Sequence, residues 1–473
     1  MKVMIGTVVC LVASVTLTVC SVGTAVAASL PNWSTARLSE PRSELAAASA
    51  AGKVLFAGGY STSGPSSVVD IYDTASGQWT ATYLPHVQGR LVGTSAAGKV
   101  FFGGGYQYAV DVYDAAGGIW TTTSFSLSRS RDFLSATSAS GKVFFAGGFD
   151  YFAGVSPVVD IYDTVSGTQT VAGLSQARED LAATSSGNKV FFAGGFNGSG
   201  FSDVVDIYDV ASGVWSTAIL SEARRSLVAA SAGGKVYFAG GYSSNGFSSV
   251  VDIFDTATGL WSTARLWERR EYLSAASSGS RVFFGGGVCV GGGEQFDSRA
   301  VDFFDAASAC QSMTWLSQGR FRLAAASADG KVLFGGGSQA GGLTDLVDIY
   351  DANAPWVQAE AGGPYLIDPG QTISLDGTQS GGSAPIVSWL WDIDSDGAFG
   401  DLTGATPSIS YDYLTGVLQL CEGSHLIGLR VSLADGTSDT TYTSLNVGAV
   451  PEPATLSLLT VGGLALLRRS RRK

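Results

Sequence analysis

Six arginines recur at one position, each eleven residues before a repeated Lys or Arg: Arg42, Arg131, Arg178, Arg224, Arg270 and Arg320. The second copy has Gln88 there, with Arg90 nearby. A guanidinium is a planar fork of donors suited to carboxylates. If the repeats close around an axis and these arginines precede the innermost strands, they form a cationic ring at one mouth of a channel, a site for an anion or an acidic glycan. In the competing reading each arginine serves its own repeat, pairing with a repeated aspartate of a neighbouring blade or with backbone carbonyls.

Other residues could also carry chemistry. Asp392, Asp394 and Asp396, followed by Gly397, give D-x-D-x-D-G, and Asp401 lies just beyond. Oxygen ligands at alternating positions suit Ca²⁺, although the twelfth position from Asp392 is Thr403 instead of Glu. Aromatic residues that differ between copies come after each glycine pair: Tyr60, Tyr106 with Tyr108, Phe149 with Tyr151 and Phe152, Phe196 with Phe201, and Tyr242 with Phe247. The sixth copy has an insertion from Gly291 to Phe296. Loops on a rigid scaffold commonly bind ligands, and aromatic platforms beside Ser, Asn and Asp suit sugars or protein partners. The alternative is that these rings cover junctions between blades. The aspartates Asp73, Asp114, Asp163, Asp209, Asp255, Asp305 and Asp351 precede turns such as Thr74-Ala75-Ser76-Gly77, where a carboxylate accepts local N–H bonds. Catalysis has little support: the two histidines, His86 and His425, are far apart in sequence, and no G-x-S-x-G, HExxH or paired-cysteine metal motif is present. No enzyme is expected.

The elements that must position these groups are repeats. A basic residue opens a run such as Lys53-Val54-Leu55-Phe56-Ala57-Gly58-Gly59, with equivalents at Lys99, Lys142, Lys189, Lys235, Arg281 and Lys331. A second run, VDIYD at 69 to 73, recurs in each copy. Upstream of the first run lies R-x-x-L, with Leu45, Leu91, Leu134, Leu181, Leu227, Leu273 and Leu323 each eight residues before the basic residue, and downstream an aromatic-led run such as Trp79-Thr80. Each copy thus supplies four short strands rich in β-branched and aromatic residues, stopped by glycines. The seventh copy lacks its fourth strand, whereas Trp33 precedes Lys53 by the same 20 residues that separate Trp79 from Lys99. The N-terminal strand is therefore expected to complete the last blade and close the ring, which hides sheet edges.

The order R-x-x-L, GKVxFxGG, VDIYD-x3-G-x-W resembles the kelch repeat, which implies a seven-bladed β-propeller over residues 28–355. The segment 357–448, with AGGPYLIDPGQTISLDGTQSGGS, VSWLWDIDSDGAFGD and GLRVSLADGTSDTTYTSLNV, resembles a PKD domain, an immunoglobulin-like β-sandwich that often serves as a spacer. The chain is thus expected to be all-β. Residues 1–27 have Lys2, an apolar run and Ala25-Val26-Ala27, the pattern of a secretory signal peptide. Residues 449–473 order Pro451-Glu452-Pro453, an apolar stretch, and Arg468, Arg469 and further basic residues. That order resembles the PEP-CTERM sorting signal, which implies export, transient membrane association with the arginines held inside, and cleavage by an exosortase, in the cell envelope or extracellular matrix of a Gram-negative bacterium.

Twenty-eight basic and 40 acidic residues give a net charge of −12. Without Lys2 and the five cations of the tail it is −18, which excludes nucleic acid as a natural partner because phosphates need the opposite sign. Cys289, Cys310 and Cys421 remain after the leader. A Cys289 to Cys310 bridge is disfavoured, because the two come after successive antiparallel strands and fall at opposite ends. These features make an exported binding or adhesion protein for extracellular polysaccharide or a surface protein the leading expectation, with no obligate cofactor. A carbohydrate-active enzyme on the same scaffold is the alternative.

Overall fold

The computed structural model describes residues 32–121, 125–291, 294–308, 311–355 and 357–448. The expected leader 1–27, Cys310, Trp356 and the tail with Pro451, Glu452, Pro453, Arg468 and Arg469 lie outside the described residues. Among the described residues, no helix is long and apolar enough to cross a membrane.

The run that opens each repeat leaves no face for water. Val54, Leu55, Phe56 and Ala57 of the strand Lys53–Ala57 are all fully buried, and the same holds at Val190 to Ala193 and Val236 to Ala239 except for slight exposure of Tyr237. A strand apolar on both faces has to sit inside a stack of sheets. It does: among the described residues seven four-stranded antiparallel sheets form, each with this strand second from the axis. In the first blade Ala47 pairs with Phe56, Phe56 with Asp70, and Asp70 with Ala81. The innermost strands are built of small residues, as in Ala46–Ala50 and Ser135–Ala139, which lets seven of them converge. Each innermost strand adjoins the next around the ring, and Ala324–Ala328 of the last adjoins Ala46–Ala50 of the first. Serine side chains tie these strands to the preceding blade: Ser49 Oγ donates to the Ser327 carbonyl (2.7 Å), Ser138 to Ser95 (2.6 Å), Ser185 to Ser138 (2.7 Å) and Ser231 to Ser185 (2.6 Å).

The ring closes through Trp33–Arg37, which pairs with Leu346–Asp351 in full register from Trp33↔Tyr350 to Arg37↔Leu346. Trp33 packs 5.1 Å from the Tyr350 ring, and its Nε1 donates to Thr314 Oγ1 of the preceding blade (2.9 Å). The glutamines that replace tryptophan in two copies keep the bridging part of that role: Gln169 Nε2 donates to the Ser126 carbonyl and Gln311 Nε2 to the Arg265 carbonyl. Both bonds reach the preceding blade.

The glycine pair marks a close approach of backbones. At Gly59 (φ +89°) a Cβ would stand 2.5 Å from the Ser43 carbonyl oxygen, and at Gly58 (φ +60°) 2.5 Å from Leu91 Cδ2 of the next blade. The sequence predicts a loop after each pair, but five of these segments fold back as small hairpins, such as Tyr60–Ser61 with Gly64–Pro65 and Tyr242–Ser243 with Gly246–Phe247. The turn aspartates act as their sequence context implies: Asp73 Oδ1 accepts from the amides of Ala75 (3.1 Å) and Ser76 (2.9 Å), and Asp209 Oδ1 from Ala211 and Ser212.

Residues 357–448 form a five-stranded sheet in the order Tyr365–Ile367, Ser438–Val447, Gly423–Leu433, Ile386–Asp392, Leu402–Thr403, with two short two-stranded sheets. The outermost pairing, Tyr365↔Leu445, is parallel. Its core gathers Ile367, Leu375, Trp391, Ile393, Ile427, Leu429, Val431 and Leu445. A helix that no sequence pattern announces, Tyr411–Gly416, is capped by the Ser410 side chain and buries Tyr411 and Leu414. At six residues it is too short to show a periodic pattern.

Candidate functional site at the channel mouth

The arginines expected at a cationic mouth are not there. Arg131, Arg178, Arg224, Arg270 and Arg320, like Arg42, are completely buried. Each rides on the linker entering a blade and plugs into that blade. Arg224 Nη1 donates to the carbonyls of Gly240 (3.1 Å) and Val250 (2.6 Å), and its Nη2 pairs with Asp252. Asp252 also accepts the Ser221 amide of the same linker (2.9 Å). The first aspartate of VDIYD is thus the partner, and it belongs to the arginine's own repeat instead of a neighbouring blade; Arg42–Asp70, Arg131–Asp160, Arg178–Asp206, Arg270–Asp302 and Arg320–Asp348 repeat the pairing. The cationic-ring expectation is therefore corrected: with their Nη atoms turned to buried acceptors, these groups meet no solvent. In the second blade, where Gln88 replaces arginine, His86 takes over, with Nδ1 2.7 Å from Asp111 Oδ1.

The mouth is lined by the residue just before each repeated leucine: Glu44, Arg90, Phe133, Asp180, Ser226, Tyr272 and Arg322. They surround a cavity of about 440 Å³, within the range of small-molecule sites. All seven have φ between 52° and 54°, a left-handed backbone that costs a non-glycine residue about 1–3 kcal/mol. The lip is stitched from blade to blade: the Glu44 amide donates to the Arg322 carbonyl (3.1 Å), Arg322 to Tyr272 (3.0 Å), Ser226 to Asp180 (3.1 Å) and Asp180 to Phe133 (3.0 Å). No two neighbours on this lip are alike, so it is a symmetric frame carrying an asymmetric set of side chains.

Five lip residues form one arc. Glu44 accepts from Arg90 Nε (2.9 Å) on one side and Arg322 Nη1 (2.7 Å) on the other. The Arg90 guanidinium lies 4.7 Å from the Phe133 ring centre, and that of Arg322 lies 4.7 Å from Tyr272. The order is aromatic, Arg, Glu, Arg, aromatic, with the arginine side chains about one third exposed. Across the mouth stand Asp180, Ser226, Glu179 and Arg225, with Glu271 close enough to feel the charges of Arg225 and Asp180. The Ser226 Oγ, Glu271 Oε2 and Arg225 Nε atoms are buried without a hydrogen-bond partner among the described residues.

Burial raises Asp180 above the usual carboxylate range despite the charges of Arg225, Arg322 and Arg90, and raises Glu179 and Glu271 as well. A carboxyl raised on folding binds protons more tightly in the folded chain. Its contribution to stability therefore falls as pH rises from the ordinary carboxylate value through the raised folded one. Asp180→Asn is expected to raise the melting temperature by roughly 1 °C or more at pH 8. At about pH 3, where both side chains are neutral, the gain disappears. Equal melting temperatures at pH 8 would contradict this.

The aromatic residues singled out in the sequence divide into two groups. Phe196, Tyr242 and Phe247 are half-buried and pack edge to face in a row with Phe201, covering neighbouring blades. Tyr60 lies under Arg90, 5.8 Å from its guanidinium. Tyr106 and Tyr151 are exposed and stack 5.3 Å apart; the Tyr151 hydroxyl donates to Asp132 Oδ2 (2.7 Å), while Phe149 meets the Tyr151 ring edge. These hairpins share the face of the mouth, since Tyr60 pairs with Ser43, Phe149 with Asp132, Phe196 with Glu179 and Tyr242 with Arg225, each next to a lip residue. Cys289 is buried, its thiol donates to the Phe296 carbonyl, and burial pushes it up to about 12.

In the sandwich, Asp392, Asp394 and Asp401 each bring a carboxylate oxygen to within 4.8 Å of the others; Asp396 stands outside that group. Comparison with known proteins matches the Kelch motif at residues 41–81, 177–218 and 223–265, which hold the clamps of Arg42, Arg178 and Arg224. Residues 449–473 match the PEP-CTERM protein-sorting motif. No match was found among curated proteins. The sorting motif implies processing by an exosortase, with export and cell-envelope sorting in bacteria. The chain thus carries Kelch motifs in a seven-bladed β-propeller, followed by a β-sandwich and a PEP-CTERM protein-sorting motif, the marks of an exported surface protein.

Proposed function

We propose that the propeller is a binding module that holds an acidic extracellular polysaccharide at the channel mouth, on the envelope of a Gram-negative bacterium, without turning it over. The observation that carries the reading is the lip: seven left-handed positions with a varied set of side chains include two aromatic faces and two partly exposed guanidinium groups. Sugar rings expose C–H faces that pack on aromatic rings, and uronate-type carboxylates suit the free donors of Arg90 and Arg322. On a chain of net charge −12 the arc gives a polyanion a local cationic contact. The exposed Tyr106–Tyr151 stack extends the aromatic surface beyond the cavity. The leader 1–27 and the sorting motif deliver the protein, and the sandwich, which is PKD-like in its motifs, spaces the propeller from the anchor.

An enzyme is the second reading, because a mouth carboxyl raised by burial, such as Glu179, is what a general acid needs. A glycan array of acidic and neutral polysaccharides, run with a reducing-end assay on each bound species, tests both. Saturable binding of acidic chains without new reducing ends is expected. Turnover without stoichiometric binding would establish the enzyme instead, and capture of a surface protein with no glycan bound would overturn the polysaccharide.

A further inference from the structure

We propose that Asp392, Asp394 and Asp401 of the sandwich bind a calcium ion, independently of the propeller mouth. Asp392 ends the buried strand Ile386–Asp392 and is itself 2 % exposed. Its Oδ2 accepts the Gly397 amide (3.0 Å), which folds the loop back on the strand, whereas its Oδ1 finds no partner among the described residues. A buried carboxylate oxygen without a donor is costly, and here the carboxylate belongs to a trio in which each residue brings one oxygen to within 4.8 Å of the others. Oxygens that share a calcium ion at about 2.3–2.6 Å each are at most about twice that far apart, so the spacing fits one central cation. The cluster repels itself: Asp394 is raised first by burial and further by Asp401, Asp396 and Asp392.

The backbone holds the trio in place. The Trp391 carbonyl accepts the amides of Gly400 (2.9 Å) and Asp401 (3.0 Å), bringing the far end of the loop beside Asp392. Asp401 Oδ2 in turn accepts the Ile393 amide (2.7 Å), and the Ile393 side chain is fully buried. Gly397, at φ +84°, makes the turn that a larger residue resists. Asp396 gives Oδ1 to the Ala398 amide (2.7 Å) and stands outside the trio. Three carboxylates with irregular spacing leave room for water and carbonyl oxygens, which suits calcium better than the strict octahedron of magnesium.

The test is terbium luminescence, sensitised by tryptophan next to the site, on the full chain, with calcium as the competitor. A calcium dissociation constant of about 0.1–1 mM is expected, the range of extracellular modules. Asp392→Asn should weaken it about tenfold or more, and Asp394→Asn, at a less buried position, serves if the first variant does not fold. Asp396→Asn should stay within about twofold of the parent. Absence of a saturable, calcium-displaced signal would overturn the site, as would an Asp396→Asn variant that loses affinity as far as Asp392→Asn.

Discussion

Arg224→Met is expected to destabilise the propeller by about 3–5 kcal/mol, seen as a melting temperature several degrees lower. The substitution keeps an apolar stem and removes the guanidinium. It leaves Asp252, 2 % exposed, as an uncompensated buried charge, and it removes the Arg224 Nη1 bonds to the carbonyls of Gly240 and Val250, of which Val250 keeps the Gly240 amide as a donor. Burial itself disfavours the Arg224 charge, and the Asp252 and Glu222 carboxylates oppose that effect. The clamp is therefore worth little more than an apolar pair would be, yet losing one partner is severe. Replacing both, as Arg224→Met with Asp252→Leu, should recover much of the loss. Recovery should stay incomplete, because the Ser221 amide then also loses its acceptor. A single variant that melts with the parent would refute the clamp.

Removing the chain up to Arg37 should do more. The strand Trp33–Arg37 supplies the fourth strand of the last blade, so its loss uncovers Leu346–Asp351 as an open edge. It also removes the half-buried Trp33 from its packing on Phe334 and Tyr350, a further loss smaller than the about 3–5 kcal/mol of a fully buried tryptophan. An open edge is a template for another chain. Size-exclusion chromatography of the shortened protein should show aggregates or dimers, and calorimetry should show loss of the single cooperative propeller transition. A monomer with the parent's melting profile would mean the ring does not depend on this closure.

Both results concern residues that sequence made legible, because they obey the repeat. The fully buried run from Val54 to Ala57, the glycine pair at 58 and 59 and the aspartate at 73 each do one local job, and repetition displays that job several times. The candidate site was harder to see. The pattern R-x-x-L drew attention to Arg224 and Leu227, while the two residues between them, Arg225 and Ser226, line the mouth. The clue was present: Ser43-Glu44, Gly89-Arg90, Asp132-Phe133, Glu179-Asp180, Glu271-Tyr272 and Phe321-Arg322 differ in every copy. What hid it was conformational. Glu, Arg, Phe, Asp, Ser, Tyr and Arg are not residues that announce a left-handed backbone, so nothing local showed that one face of the ring would turn these side chains inward. The arginine clamp was legible in kind: a charged residue repeated in nearly every blade serves the repeat, which pointed to a repeated aspartate or backbone carbonyls as its partners. The packing adds that the aspartate belongs to the same repeat and that the acceptors lie deep enough to bury the charge.

The propeller thus divides into a structural frame and a lip proposed to bind. The most direct test of that division measures the affinity of the full chain for the acidic polysaccharide selected by the array, before and after Arg322→Ala combined with Tyr272→Ala, with melting temperature recorded alongside. Affinity should weaken about tenfold or more, as two anchors are lost, while the clamps hold the propeller folded. Unchanged affinity in a folded double variant would contradict the assignment of binding to the lip.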